Sequence, residues 1–323
     1  MPTSQRLLPL LLLLASFVFG CKESPVGTSN TNPGISISPS GLYPSRTGET
    51  YAIWFEVPIS SVSAKGNVIL HGSSVQKFAG TFRIDQSGNM VDLDTTDLLK
   101  RIGTSLSLAL RGIISVEKIG AIDSLPASEL MGGDITGSTT TGSVSLTTSD
   151  EDGLDNDFSS LKGAITLAYA AGKPATDLEL YLMRASSPTL TSAGIDNLPE
   201  PPEGWQYALW VVDSASKSLP PFSIFYGTFT GAIGKDSQAD DNSFDFPGGR
   251  YPADPTQPIY DLRSGKISVM VTLEPNSGGV LPPVPFGATI FQTTIATTAQ
   301  AFSPIDLTNR ASSFPKATIT IHR

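Results

Sequence analysis

The chain has 323 residues, a formal charge of −9 and a pI near 4.7. With 40 Ser, 31 Thr, 30 Gly and 25 Pro against 16% charged residues, the composition disfavours a helical bundle and favours strands joined by many turns. A net-acidic chain without a basic tract is a poor partner for nucleic acid, and one cysteine with two histidines leaves little for disulfides, zinc sites or a His-based catalytic centre.

In chain order the first element is a processing signal. Arg6 precedes an apolar run of 13 residues, Leu7–Phe19, the length of a signal-peptide core and too short for a membrane span of ~20 residues. The run ends in Val18-Phe19-Gly20-Cys21, with the chain's single cysteine at the last position. This resembles the bacterial lipoprotein signal, although Phe19 is bulkier than that pattern usually carries. The resemblance implies removal of residues 1–20, acylation of Cys21 and attachment to a membrane through that lipid, stable because several acyl chains share the load. Residues 21–33 are polar and aperiodic and read as a flexible tether. The expected location is the extracytoplasmic cell envelope, with Lys22 after the cysteine rather than an Asp.

Beyond the tether the sequence repeats itself. Tyr51-Ala-Ile-Trp54 returns as Tyr207-Ala-Leu-Trp210, each behind a Pro/Gly turn (Pro44–Gly48 and Pro201–Gly204). Gly80-Thr-Phe82 returns as Gly227-Thr-Phe229, Ile114–Glu117 as Val271–Glu274, and Pro126 as Pro282. Ser159-Ser160 with Lys162, Ala164, Ile165 and Thr166 is echoed by Ser312-Ser313 with Lys316, Ala317, Ile319 and Thr320. The matches keep their order at offsets of 147–157 residues, which is the signature of a duplicated domain. The expected organisation is one copy over 34–172, a connection over 173–185 and a second copy over 186–323.

Within each copy the periodicity is two. Tyr51, Ile53 and Phe55 point one way and Ala52 and Trp54 the other, so both faces of that strand are apolar; Tyr207–Val212 repeats the pattern. Leu106–Leu110, Lys266–Leu273, Ala164–Leu167 and Ala317–Ile321 read as further strands, and Thr95–Arg101 behind Asp94 as one short helix. The fold class is therefore all-β, two tandem antiparallel β-sandwiches.

The second copy reads from Leu198 to Asp213, continues with Gly227-Thr-Phe229 and closes with Val271–Gly287. This stretch is similar to the extracytoplasmic domain of the anti-sigma-K factor family. The first copy keeps Tyr51, Trp54, Gly80, Phe82, Val116, Glu117 and Pro126 of the pattern but has Glu117-Lys118 and Ile119-Gly120 where the second has Glu-Pro and Gly-Gly. The resemblance implies an all-β fold. It does not bring sigma-factor binding with it, because an extracytoplasmic chain meets no sigma factor.

Two features bear on chemistry. Asp150-Glu-Asp-Gly-Leu-Asp-Asn-Asp157 places five carboxylates around Gly153, and Asp150, Asp152, Asp155 and Asp157 have the alternation that supplies oxygen ligands to Ca2+. The EF-hand register fails, since positions 1 and 12 fall on Thr148 and Ser159. A solvated acidic hairpin loop is the leading reading and calcium the alternative; Asp236, Asp240, Asp241 and Asp245 form a second acidic loop. Trp205, in the turn after Gly204, is the aromatic expected at a surface where a carbohydrate could stack, whereas Trp54 and Trp210 sit mid-strand as core residues. His71 and His322 stand alone, and no nucleophile elbow, zinc motif or phosphate loop occurs, so no enzyme is expected. The expected function is a non-catalytic, membrane-anchored binding, scaffold or sensing module for an envelope protein or polymer. A calcium-dependent adhesin or carbohydrate-binding module is the alternative.

Overall fold

The computed structural model describes residues 31–322 apart from 33, 63–67, 96–100, 123–124, 139–140, 170–177, 214–222, 239–243, 250–260 and 277–283. The processing signal, Cys21, most of the tether and most of the expected helix at Thr95–Arg101 lie outside the described residues. The strands of the first half are β1 (Thr31–Asn32), β2 (Ile35–Ser40), β3 (Glu49–Val62), β4 (Val68–Ile84), β5 (Met90–Asp94), β6 (Arg111–Lys118), β7 (Glu129–Asp134), β8 (Thr136–Gly137), β9 (Thr141–Thr147) and β10 (Gly163–Ala168). The second half has β11 (Glu179–Tyr181), β12 (Met183–Ser187), β13 (Leu190–Ala193), β14 (Trp205–Asp213), β15 (Ser223–Phe229), β16 (Ile267–Pro275), β17 (Thr289–Thr294), β18 (Pro304–Asn309) and β19 (Lys316–His322).

The fold is all-β, and the strand pairs are antiparallel, in sheets that curl into near-barrels. The first large sheet runs β1-β2-β19-β9-β7-β6-β3-β4-β5, and the second β11-β10-β18-β17-β16-β14-β15. From the middle outward the two orders correspond: a Tyr-x-x-Trp strand (β3, β14) lies between its hairpin partner (β4, β15) and the Glu-bearing strand (β6, β16). The β3–β4 and β14–β15 ladders even slip register at the same place, between Ile53 and Trp54 and between Leu209 and Trp210.

One arrangement differs from the sequence expectation. β10, the last strand of residues 34–172, pairs with β18 and β11 in the second sheet, while β19, the last of 186–323, pairs with β9 and β2 in the first. The segment 34–172 is therefore not a closed sheet by itself. Leu106–Leu110 also departs from its expected strand: Gly103–Leu108 is a 3-10 helix. Leu106 is buried within it and Ala109, its C-cap, is buried three residues on, the period of that helix, whereas Leu110 is exposed.

Side-chain alternation carries the core. Tyr51, Ile53 and Phe55 face the main interior, shared with Tyr207, Leu209 and Val211, whereas Ala52 and Trp54 pack with Ile113 on the opposite face of the first sheet. The glycine that opens each Gly-Thr-Phe motif permits a close approach. A Cβ on Gly80 would fall 2.3 Å from the Asp94 carbonyl oxygen, and one on Gly227 would fall 2.3 Å from the Asp236 carboxylate. Asp236 is itself buried and accepts from the Gly248 and Gln238 amides, so the second acidic segment begins with a residue spent on its own loop.

Candidate functional site

Each tryptophan of the paired motifs begins a buried relay. The Trp54 indole donates to Ser115 Oγ at 2.8 Å, the Ser115 hydroxyl donates to Glu117, and Glu117 Oε1 accepts the Ala127 amide at 2.9 Å. In the second half the Trp210 indole donates to Thr272 Oγ1 at 3.0 Å, Thr272 donates to Glu274 at 2.6 Å, and the same carboxylate oxygen accepts the Phe286 amide at 2.9 Å. Tyr51 and Tyr207 complete the parallel by donating to the carbonyls of Tyr43 and Pro199. A buried carboxylate needs such donors to offset its lost hydration. The motif residues thus position one another and the turn that follows the Glu strand.

The Glu274 relay extends into the other half. Glu274 is fully buried, and its second oxygen accepts from Arg46 Nη1 at 2.6 Å; Arg46 also donates to the Val284 carbonyl at 3.1 Å and pairs with Glu49 at 2.6 Å. Burial pushes the Glu274 carboxyl above its usual range, with Arg46, Thr272 and the Phe286 amide pulling the other way. Burial opposes the charge on Arg46, but Glu49 and Glu274 together hold its pKa above the ordinary value. Around this pair, Tyr43 meets Phe286 edge-on at 5.3 Å and Trp205 lies 5.6 Å from the same ring. Gly204 has φ +77, and a Cβ there would stand 2.0 Å from the Ala127 carbonyl oxygen. Its own carbonyl accepts from Ser128 Oγ at 2.8 Å.

Trp205, expected at a surface, is a member of this contact. It is only 4% exposed, and its indole donates to the Glu129 carbonyl at 2.8 Å. Its position after a Gly turn reads as exposed in sequence; the turn is covered because the first half packs on it.

The acidic loop holds a cation of the protein's own. Arg111, at the start of β6, hydrogen-bonds to Asp150 and Asp152, pairs with Asp134 at 2.7 Å and Glu151 at 3.2 Å, and stands 3.9 Å from Glu56. Burial works against its charge, yet Asp152, Asp150 and Asp134 hold its pKa well above the ordinary value. The sequence-predicted quartet is therefore split. Asp150 and Asp152 meet on Arg111; Asp155 is exposed; and Asp157 accepts from the Ser159 amide and hydroxyl, which lower its pKa. Among the described residues no group of three or more His, Cys, Asp and Glu side chains is arranged to hold a metal ion. The guanidinium neutralises the carboxylates gathered on it. Arg111 was missed because it lies far upstream of the loop in sequence, and only the β6–β7–β9 order brings it there.

Of the remaining predicted positions, His322 is exposed at the end of β19, where its amide donates to the Gly34 carbonyl at 2.8 Å. That bond brings the start of β2 and the end of the chain to one place. Asp245 is exposed, and Asp240 and Asp241 lie outside the described residues. No helix among the described residues is long and apolar enough to cross a membrane. Comparison of the chain with protein-family models, with curated proteins and with solved structures gives no match.

Proposed function

We propose that this chain is a membrane-anchored envelope lipoprotein whose two β-sandwich-like halves act as a non-catalytic binding, scaffold or sensing module. The observation that carries the reading is Val18-Phe19-Gly20-Cys21, which sets the chain's single cysteine at the end of an apolar run. Acylation there attaches the lipid to a polar tether that leads through β1 into β2. β2 lies along β19 from Ile35↔Ile321 to Ser40↔Lys316, so a pull on the tether is borne by a full ladder of the first sheet rather than by a loose end. The similarity of the second half to the extracytoplasmic domain of anti-sigma-K factors fits an envelope address and an all-β module, and we assign no sigma-factor binding to it. The partner in this reading is another envelope protein or polymer.

Fractionation of cells producing the full chain tests the proposal. The native chain is expected in the detergent-soluble membrane fraction and the Cys21→Ser variant in the aqueous extract or still unprocessed. Equal partition of the two, with residues 1–20 removed from both, would overturn the anchor. Pull-down of the anchored form from solubilised envelopes is expected to recover a reproducible partner, and a monodisperse protein that retains nothing would count against the module.

A further inference from the structure

The exchanged strands bear on how the halves recognise each other. The matched Ser-Ser pairs lie in the links just before β10 and β19, and the matched Ala, Ile and Thr positions lie in the strands themselves, yet each strand completes the sheet of the opposite half. In the first sheet the receiving groove has two walls: β9, paired from Thr147↔Lys316 to Thr141↔His322, and β2, paired from Ser40 to Ile35. Ile319 and Ile321 fill it and are fully buried, as are Ile35 and Ile37 on the strand beside them. In the second sheet β18 and β11 receive β10, of which Ala164, Ile165 and Leu167 are fully buried.

The two links that carry the strands across touch one another. Asn309 Nδ2 donates to the carbonyls of Phe158 at 2.8 Å and Leu161 at 3.1 Å, and the rings of Phe158 and Phe314 lie 5.8 Å apart. Two equivalent terminal strands that trade places across a crossing pair of links are the geometry of a strand-swapped dimer. Here the dimer's two subunits are joined in one chain.

We propose that each half is a receptor for the last strand of a second copy of the same unit, and that this chain is a covalently fused, strand-exchanged pair. The groove between β9 and β2 takes β19, and the groove between β18 and β11 takes β10. Without β19, β2 keeps only the two-residue β1 as a sheet neighbour, so the first half is left with an open edge and two buried isoleucines exposed. This inference rests on the duplication and not on the lipid anchor, so failure of either leaves the other standing.

The test uses the full chain with Cys21→Ser, Ser143→Cys and Thr320→Cys, and a protease-recognition sequence inserted within residues 170–177. Ser143 and Thr320 face each other across β9 and β19, are only part-buried, and belong to different fragments once the connection is cut. After cleavage the fragments are expected to co-elute at the mass of the uncut chain without denaturant. Oxidation is expected to join them into one band on a non-reducing gel. Unfolded and separated, neither fragment is expected to refold as a monomer with a cooperative melt, while mixing them restores the pair. Release of two folded monomers on cutting would overturn the proposal. So would a pair that stays together but does not cross-link, since packing of the faces without exchange would then account for it.

Discussion

Replacing Arg46 by methionine keeps most of the side chain's bulk and removes the charge that faces Glu274. Breaking a buried ion pair from one side is destabilising by about 3–5 kcal/mol, because the remaining charge is left in the interior. Glu274 retains two donors, Thr272 and the Phe286 amide, so the lower end, about 3 kcal/mol, is expected. For a chain of this length that corresponds to a fall in Tm of roughly 5 °C. Glu49, the other partner of Arg46, also loses a two-point contact with the guanidinium, which adds to the cost. The pH dependence follows from the direction of the Glu274 shift. Its folded pKa is raised above the ordinary 4.5, so the native state holds the proton more tightly than the unfolded chain. The stabilising contribution is complete below that value and is lost as pH rises through the folded pKa. Arg46→Met removes an opposing pull, raises the folded pKa further and deepens the loss at high pH. Denaturant unfolding of both proteins at several pH values reads this directly: the gap is expected to be small near pH 4 and widest at neutral pH. A gap below about 1 kcal/mol at pH 8, or one of equal size at pH 4 and pH 8, would refute the role given to this pair.

Other expectations follow from the same geometry. Trp54→Phe and Trp210→Phe each lose an indole donor and ring volume, so each is expected to lower stability by about 2 kcal/mol in chemical denaturation, with the double variant additive to within about 0.5 kcal/mol; a silent change in one half would break the equivalence of the relays. Gly204→Ala forces a Cβ against the Ala127 carbonyl at a left-handed φ and is expected to destabilise by about 3 kcal/mol. Gly231→Ala, which would meet nothing closer than 3.7 Å, is the control expected to stay near wild type by thermal melting. Arg111→Gln leaves the carboxylates around it facing one another, with an expected loss of about 1–3 kcal/mol at low ionic strength that shrinks in 1 M salt. Millimolar calcium is expected to leave the melting temperature of the native protein unchanged.

Much of this architecture is legible in the sequence, and the exceptions share a cause. The Tyr51–Phe55 and Tyr207–Val212 strands, with two apolar faces, follow from a period of two and lie where the pattern puts them. The internal match of Trp54, Ser115 and Glu117 with Trp210, Thr272 and Glu274 becomes a pair of hydrogen-bond relays with the same connectivity. What local sequence cannot express is which half a strand joins. β10 and β19 share an alternating pattern in the sequence, and nothing in that pattern says that β10 pairs with β11 and β18 while β19 pairs with β2 and β9. Trp205 and Arg111 are the same lesson at the scale of one side chain. Each is placed by a partner distant in the chain: Glu129 for the indole, and Asp150 and Asp152 for the guanidinium.

The membrane anchor is tested most directly by the mass of the amino-terminal peptide of the protein recovered from cell membranes. The account predicts a peptide that begins at Cys21 and carries acyl groups on its sulfur and its new α-amino group. A peptide that retains residues before Cys21, or one that begins elsewhere with Cys21 as an unmodified thiol, would contradict it.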